Sequence, residues 1–253
     1  MPNPLFADFA GKIIWSADGL KPKQIIDIVK LPTFPRKEVA LKLDRLFFTT
    51  NHLKFIQIFQ EEYGVPVFAD AKIIEIPSKA AEIAKCHLEY HPWMLNVMAG
   101  ACDSGLPYND FLSKFAELCL DAGTLSCAVT VLTSKTKVLI SEEFGLSVAD
   151  RASKPVEFYA NLMQKCNLTD IVCSPEEIAA VRKYGLNINT PGIRLSGDSH
   201  DDQARVDTPS SAIKSGATRL VIGRSIYNPA KDKVEDVPQN IQRVLDDIEK
   251  PVA

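Results

Sequence analysis

Short apolar runs rich in β-branched residues recur along the chain, each followed by a longer segment with helical spacing, and this alternation constrains the fold more than any other feature. The runs fall at Lys12–Ala17, Val39–Leu43, Val65–Ala71, Met94–Val97, Leu125–Leu132, Asp170–Cys173, Asn187–Thr190 and Arg219–Ile222. Short runs of this kind suit strands of a parallel sheet covered on both faces. Eight of them separated by helices predict a (β/α)8 barrel, and 253 residues suits one such barrel occupying 1–253 as a single domain.

The connecting segments agree. His52–Tyr63 places Leu53, Ile56 and Phe59 on one stripe, and Ser78–Tyr90 lies between Pro77 and Pro92, so both predict helices packed on a sheet. Thr208-Pro209 reads as a cap and first turn ahead of Ser210–Ser215, with Gly216 as the stop; Val237–Ile248 carries Ile241, Val244, Leu245 and Ile248. Gly197–Asp207 has the composition of a flexible loop after the seventh strand.

Composition excludes some functions. With 29 Lys and Arg against 32 Asp and Glu, the formal net charge of −3 argues against nucleic-acid binding, which needs clustered cations. No apolar run approaches the roughly 20 residues of a membrane span, and the first residues lack a signal-peptide pattern. The 6 cysteines show no C-x-x-C spacing and read as reduced core residues of a cytoplasmic protein.

Active sites of such barrels lie at the carboxyl ends of the strands, and the polar residues there stand out. The first run ends in Asp18, the second carries Lys42, and the third leads into Asp70, Lys72 and Glu75. Alternating carboxylates and ammoniums sharing a pocket keep the lysines charged, which suits a lysine acting as general acid; otherwise Asp70-x-Lys72-x-x-Glu75 is a solvated charge cluster. The fifth run ends in Thr133-Ser134, and the last two end in Gly192-Ile193-Arg194 and Gly223-Arg224. Glycines that admit backbone N–H groups beside a guanidinium make a phosphate site, the alternative being a helix-capping Arg224.

These residues resemble the orotidine 5′-phosphate decarboxylase family. The resemblance runs through Phe68-Ala-Asp-Ala-Lys-Ile-Ile-Glu-Ile-Pro77, Ala128-Val-Thr-Val-Leu-Thr-Ser134, Thr190-Pro-Gly-Ile-Arg194, Asp201-Asp-Gln-Ala-Arg-Val206 and Val221-Ile-Gly-Arg-Ser-Ile226. It implies decarboxylation of orotidine 5′-monophosphate in pyrimidine biosynthesis, with Lys72 protonating C6, Asp70 facing the leaving carboxylate and Lys42 in the same network. It further implies Asp18 on the ribose, Thr133 at the pyrimidine edge, Gln203 and Arg224 on the phosphate and Arg194 close by, with Ser134, Pro191 and Gly223 also contacting substrate. No metal and no organic cofactor are implied, and the assembly is a homodimer in which Glu75 reaches the partner's site.

The chain departs from the family pattern at Glu75, where aspartate is usual, at Lys79, where threonine is usual, and at Asp44, where glycine is usual. The alternative is therefore a paralogue that binds a nucleoside monophosphate or related sugar phosphate without turning it over. A metal-assisted sugar-phosphate enzyme on the same scaffold is a third reading. His87 and His91 have a spacing able to hold zinc but no evident third ligand, and Trp15 and Trp93 read as barrel core.

Overall fold

The computed structural model describes residues 6–49, 52–100, 110–146, 153–198, 206–230 and 232–250. Eight parallel strands close into a barrel in sequence order: β1 (Ile13–Ser16), β2 (Val39–Asp44), β3 (Val67–Ile73), β4 (Met94–Met98), β5 (Leu125–Val129), β6 (Asp170–Val172), β7 (Asn187–Thr190) and β8 (Arg219–Ile222). Pairing of Ile14 with Val221 joins the last strand to the first. The expected (β/α)8 architecture is the observed one.

Strands apolar on both faces have two surfaces to bury. Outward residues such as Trp15, Leu41, Val67, Leu95 and Ile222 pack under the surrounding helices in the main core. Inward residues Ile14, Ala40, Phe68, Met94, Cys127 and Val221 fill the lumen as a second apolar cluster. Below it, Arg219 donates to Asp170 at 2.8 Å, Asn189 donates to the same carboxylate at 2.9 Å, and the guanidinium lies 5.0 Å from the Trp93 ring centre. The fully buried Asp170 thus has its charge matched in place, closing the amino-terminal end of the barrel.

Differences from the sequence expectations are local and have physical causes. β3 begins at Val67 because Pro66 has no N–H for the ladder, and it continues to Ile73, which brings Lys72 into the strand. β5 stops at Val129, leaving Val131, Leu132 and Thr133 to turn across the barrel mouth. The segment expected as one helix over His52–Tyr63 is helical only from Phe55 and widens into a π-helical turn at Ile58–Glu62. That turn presents buried Gln60, which accepts from the backbone of Val67 and Trp93 and donates to the His91 carbonyl, stitching β3 to β4 at their starts.

Helix Pro77–Leu88 starts at the proline itself, whose missing N–H costs nothing in a first turn. Thr208 caps Pro209–Ser215 by accepting from the Ser211 N–H, and Gly216 ends that helix at φ 113°, both as expected. Val237–Ile248 is helical over the expected span. His87 turns Nδ1 to the Ile83 carbonyl and His91 turns Nδ1 to that of Ala122, so the two rings serve local packing. Among the described residues no three His, Cys, Asp or Glu side chains are grouped to hold a metal ion. Cys119, Cys127, Cys166 and Cys173 are buried as expected, whereas Cys86 is exposed on the outer helix and Cys102 lies outside the described residues.

Candidate active site

Strand residues two apart share a face, so the positions after the lumen cluster project toward the carboxyl mouth: Ser16, Lys42, Asp70, Asn96, Val129 and Gly223. Above them opens a cavity of about 480 Å³, a size suited to a nucleotide-sized ligand. Of the residues expected at the site, Asp18, Lys42, Asp70, Lys72, Thr133, Pro191, Arg194, Gly223 and Arg224 all line it. Glu75 and Ser134 are exposed and do not line it, and Gln203 and His200 lie outside the described residues.

One end of the cavity is a chain of alternating charges. Lys42 Nζ donates to Asp18 Oδ1 at 2.7 Å and to Asp70 Oδ2 at 2.8 Å, and Lys72 Nζ donates to the same Asp70 oxygen at 2.5 Å. Ser16 Oγ donates to Asp18 Oδ2 at 2.7 Å, and Asn96 Nδ2 donates to Asp70 Oδ1 at 2.6 Å. The Asp70 and Lys42 side chains are almost fully buried, while Lys72 is 36% exposed and faces the cavity.

Burial alone pushes the Asp70 carboxyl up, but Lys42 and Lys72 outweigh it and hold the group well below the usual carboxylate range. Burial likewise favours neutral Lys42, and the carboxylates of Asp70 and Asp18 outweigh that, leaving its ammonium harder to deprotonate than an ordinary lysine. A fixed Asp70 anion therefore stands beside the partly exposed Lys72 side chain at neutral pH.

The opposite end holds Arg194 and Arg224 with two glycines. Gly192 sits at φ 80°, which favours glycine, and its carbonyl accepts from Asp207 N–H while Arg194 N–H donates to the Asp207 carbonyl, both at 3.0 Å. These bonds tie off the base of the segment expected as a flexible loop over Gly197–Asp207, of which 199–205 lies outside the described residues. A Cβ added at Gly223 would lie 3.6 Å from the Ser16 side chain, an ordinary van der Waals contact, so packing between β8 and β1 does not itself require glycine there.

The residues that depart from the family pattern have structural roles of their own. Asp44 accepts from the Phe47 N–H at 2.8 Å, capping the short helix Arg45–Thr49, and Lys79 pairs with Glu82 at 2.8 Å on an exposed helix face. Ser16, Phe68, Tyr227 and Asn96 belong to the site or its support and were not singled out from the sequence. Only Asn96 carried a legible signal, as the lone polar residue in the run Met94–Met98.

A family model described as "Orotidine 5'-phosphate decarboxylase / HUMPS family" matches residues 11–239. The chain belongs to that family. Among its relatives, the orotidine 5′-phosphate decarboxylase of Nitrosomonas europaea is 38% identical over 166 residues, covering 64% of this chain and 68% of that protein. The enzyme of the same name from Nitrosomonas eutropha is 36% identical over 219 residues, covering 85% and 88% of the two chains. The crystal structure of orotidine 5′-phosphate decarboxylase from Lactobacillus acidophilus superposes with a TM-score of 0.72 at 20% identity over 95% of this chain and 100% of that one, a likeness of fold.

Proposed function

We propose that this member of the orotidine 5′-phosphate decarboxylase / HUMPS family converts orotidine 5′-monophosphate to uridine 5′-monophosphate and carbon dioxide, a step of pyrimidine biosynthesis. The observation that carries the reading is the Asp70–Lys72 contact at 2.5 Å, set in a cavity whose far end offers Arg194 and Arg224. The enzyme is a carboxy-lyase and takes the whole 253-residue chain as one barrel domain working in the cytoplasm.

The phosphate binds Arg224, the Gly223 backbone, Arg194 and Gln203; the ribose meets Asp18; the pyrimidine lies against Thr133 and Pro191, with Ser134 at the rim. The C6–carboxyl bond then breaks and its electron pair stays on C6. The Lys72 ammonium stabilises that developing anion and delivers its proton to C6, after which water reprotonates the amine. Asp70 places negative charge beside the departing carboxylate, and Lys42 keeps Asp70 ionised and in position. Binding at the phosphate, remote from C6, contributes to closing the site.

The test is loss of orotate absorbance when the purified protein meets orotidine 5′-monophosphate, with and without a chelator. Turnover unaffected by the chelator is expected. No turnover with tight binding of the nucleotide would favour the non-catalytic paralogue, and chelator-sensitive turnover a metal-assisted reaction.

The same proposal makes the protein a homodimer with Glu75 completing the partner's site. Glu75 is exposed and outside the cavity of its own chain, and its neighbours Ile74 and Ile76 are 56% and 61% exposed. Mixing inactive Lys72→Ala and Glu75→Ala proteins is expected to restore about a quarter of native activity, because random exchange makes half the dimers mixed and each mixed dimer holds one intact composite site. Absence of any recovery after subunit exchange would place Glu75 outside the reaction.

A further inference from the structure

The carboxyl half of β3 is irregular where the charged pair sits. Ala69 pairs with Leu95 and Ile73 pairs with Val97, so Asp70, Ala71 and Lys72 all stand opposite the single residue Asn96. Such a bulge re-aims side chains but interrupts the ladder, leaving backbone groups to be satisfied in another way. Lys72 within it adopts φ 42°, a left-handed conformation rare for a side chain of this length.

Asn96 fills that gap. Its side chain is fully buried, its Oδ1 accepts the Lys72 backbone N–H at 2.7 Å, and its Nδ2 donates to Asp70 Oδ1 at 2.6 Å. The partners fix the amide orientation, since a flip would set Oδ1 against a carboxylate and Nδ2 against an N–H. Asn96 does not line the cavity. One neutral side chain therefore holds the backbone of the cation and the carboxylate of the anion at once.

We propose that Asn96 is a positioning residue that clamps the β3 bulge, holding Asp70 and Lys72 in the mutual geometry that the reaction uses. Donor and acceptor are both required, which an apolar residue lacks and a carboxylate supplies only when protonated. The inference rests on the catalytic role proposed above for the Asp70–Lys72 pair. Asn96 acts through those two residues, so its removal lowers kcat far more than it weakens binding at the phosphate and ribose ends.

The experiment compares native protein with Asn96→Ala, Asn96→Ser and Asn96→Asp for kcat, KM, binding of uridine 5′-monophosphate and urea midpoint. Asn96→Ala is expected to lower kcat about 100-fold, the usual consequence of misplacing a reacting group by about 1 Å, with KM and product binding within about threefold. Asn96→Asp supplies a rescue with its own signature. Its carboxyl meets the Asp70 carboxylate and the Lys72 backbone N–H on β3, with Cys127 as register partner on β5 and the Lys42 and Lys72 amines on the far oxygen of Asp70. The adjacent Asp70 charge and burial raise the new acid's pKa, so it is neutral at low pH and donates as the amide did. Its kcat relative to native is therefore expected to rise as pH falls from 8 to 5, a trend absent in Asn96→Ala and Asn96→Ser.

A kcat for Asn96→Ala within about twofold of native, or parallel losses in kcat and product binding, overturns the proposal; so does an Asn96→Asp protein without the low-pH recovery. If Asn96→Ala does not fold, Asn96→Ser and Asn96→Asp decide by the same criteria. A crystal structure of the folded variant separates this inference from the function it rests on. Native protein without turnover defeats the proposed activity, whereas a variant that keeps Lys72 Nζ against Asp70 with unchanged backbone defeats the positioning role.

Discussion

Lys72→Ala is expected to lower decarboxylation by at least about 10⁴-fold while leaving the free energy of unfolding, from urea titration, within about 1 kcal/mol of native. The two expectations separate because of where the side chain lies. Lys72 is 36% exposed and ends in the cavity, so its removal leaves neither a closed void nor a buried charge without a partner: Asp70 keeps Lys42 at 2.8 Å and Asn96 at 2.6 Å. Catalysis loses two contributions together. A positioned general acid contributes roughly 10²–10⁴-fold, and a cation aimed at the developing carbanion contributes at least as much in a site that excludes water.

Product binding should fall far less than turnover, since the phosphate end with Arg194 and Arg224 is untouched. The measurement is kcat beside the dissociation constant for uridine 5′-monophosphate. Turnover retained within tenfold would move the proton donor elsewhere, and a matching loss of product binding would make Lys72 a ligand contact instead.

The barrel was legible because its signal is repeated. Most of the strands are apolar on both faces, β7 with Asn187 and Asn189 being an exception, so a slip in any one boundary leaves the count and alternation intact. The boundaries that shifted did so for reasons absent from a hydropathy pattern. Pro66 delays β3, and Gln60 is polar yet buried by three hydrogen bonds that widen its helical turn. The charged end of the site was legible for a different reason: strand-end residues of a barrel converge on one mouth, so Asp18, Lys42, Asp70 and Lys72 belong together once the fold is fixed.

Asn96 and Ser16 were not found because neither is charged and each acts on another polar group. The importance of Asn96 depends on what lies across the strand, which spacing along one strand does not reveal, and Ser16 matters through Asp18 two residues on. Glu75 shows the converse. Its spacing from Asp70 and Lys72 places it in the motif, yet it is exposed and does not line the cavity of its own chain, so its place at a site rests on the dimer proposed above.

Lys42→Met should be the most destabilising single change at the site, by about 3–5 kcal/mol, because it leaves a buried carboxylate short of its principal partner while filling the space with an apolar chain. Asp70 is ionised in the native protein because Lys42 and Lys72 outweigh burial; with Lys42 gone, burial regains weight and the carboxyl pKa rises. The pH dependence has a definite sign. The folded-state pKa of Asp70 is depressed, so its contribution is present above its unfolded value of about 3.9 and is lost as pH falls through the folded value. That of Lys42 is raised, so its contribution is present below about 10.4 and is lost as pH rises through the folded value.

The stability gap between native and Lys42→Met should therefore be widest across the neutral range and narrow as pH drops below about 4, where native protein loses what the variant already lacks. Urea midpoints from pH 3 to 9 measure it. Adding Asp70→Asn to Lys42→Met should recover part of the loss, since it removes the stranded charge while Lys72 turns to solvent, giving a coupling energy that neither single variant predicts. Additive losses would mean that the two side chains contribute independently, and the alternating charge chain would then be a feature of reactivity rather than of folding.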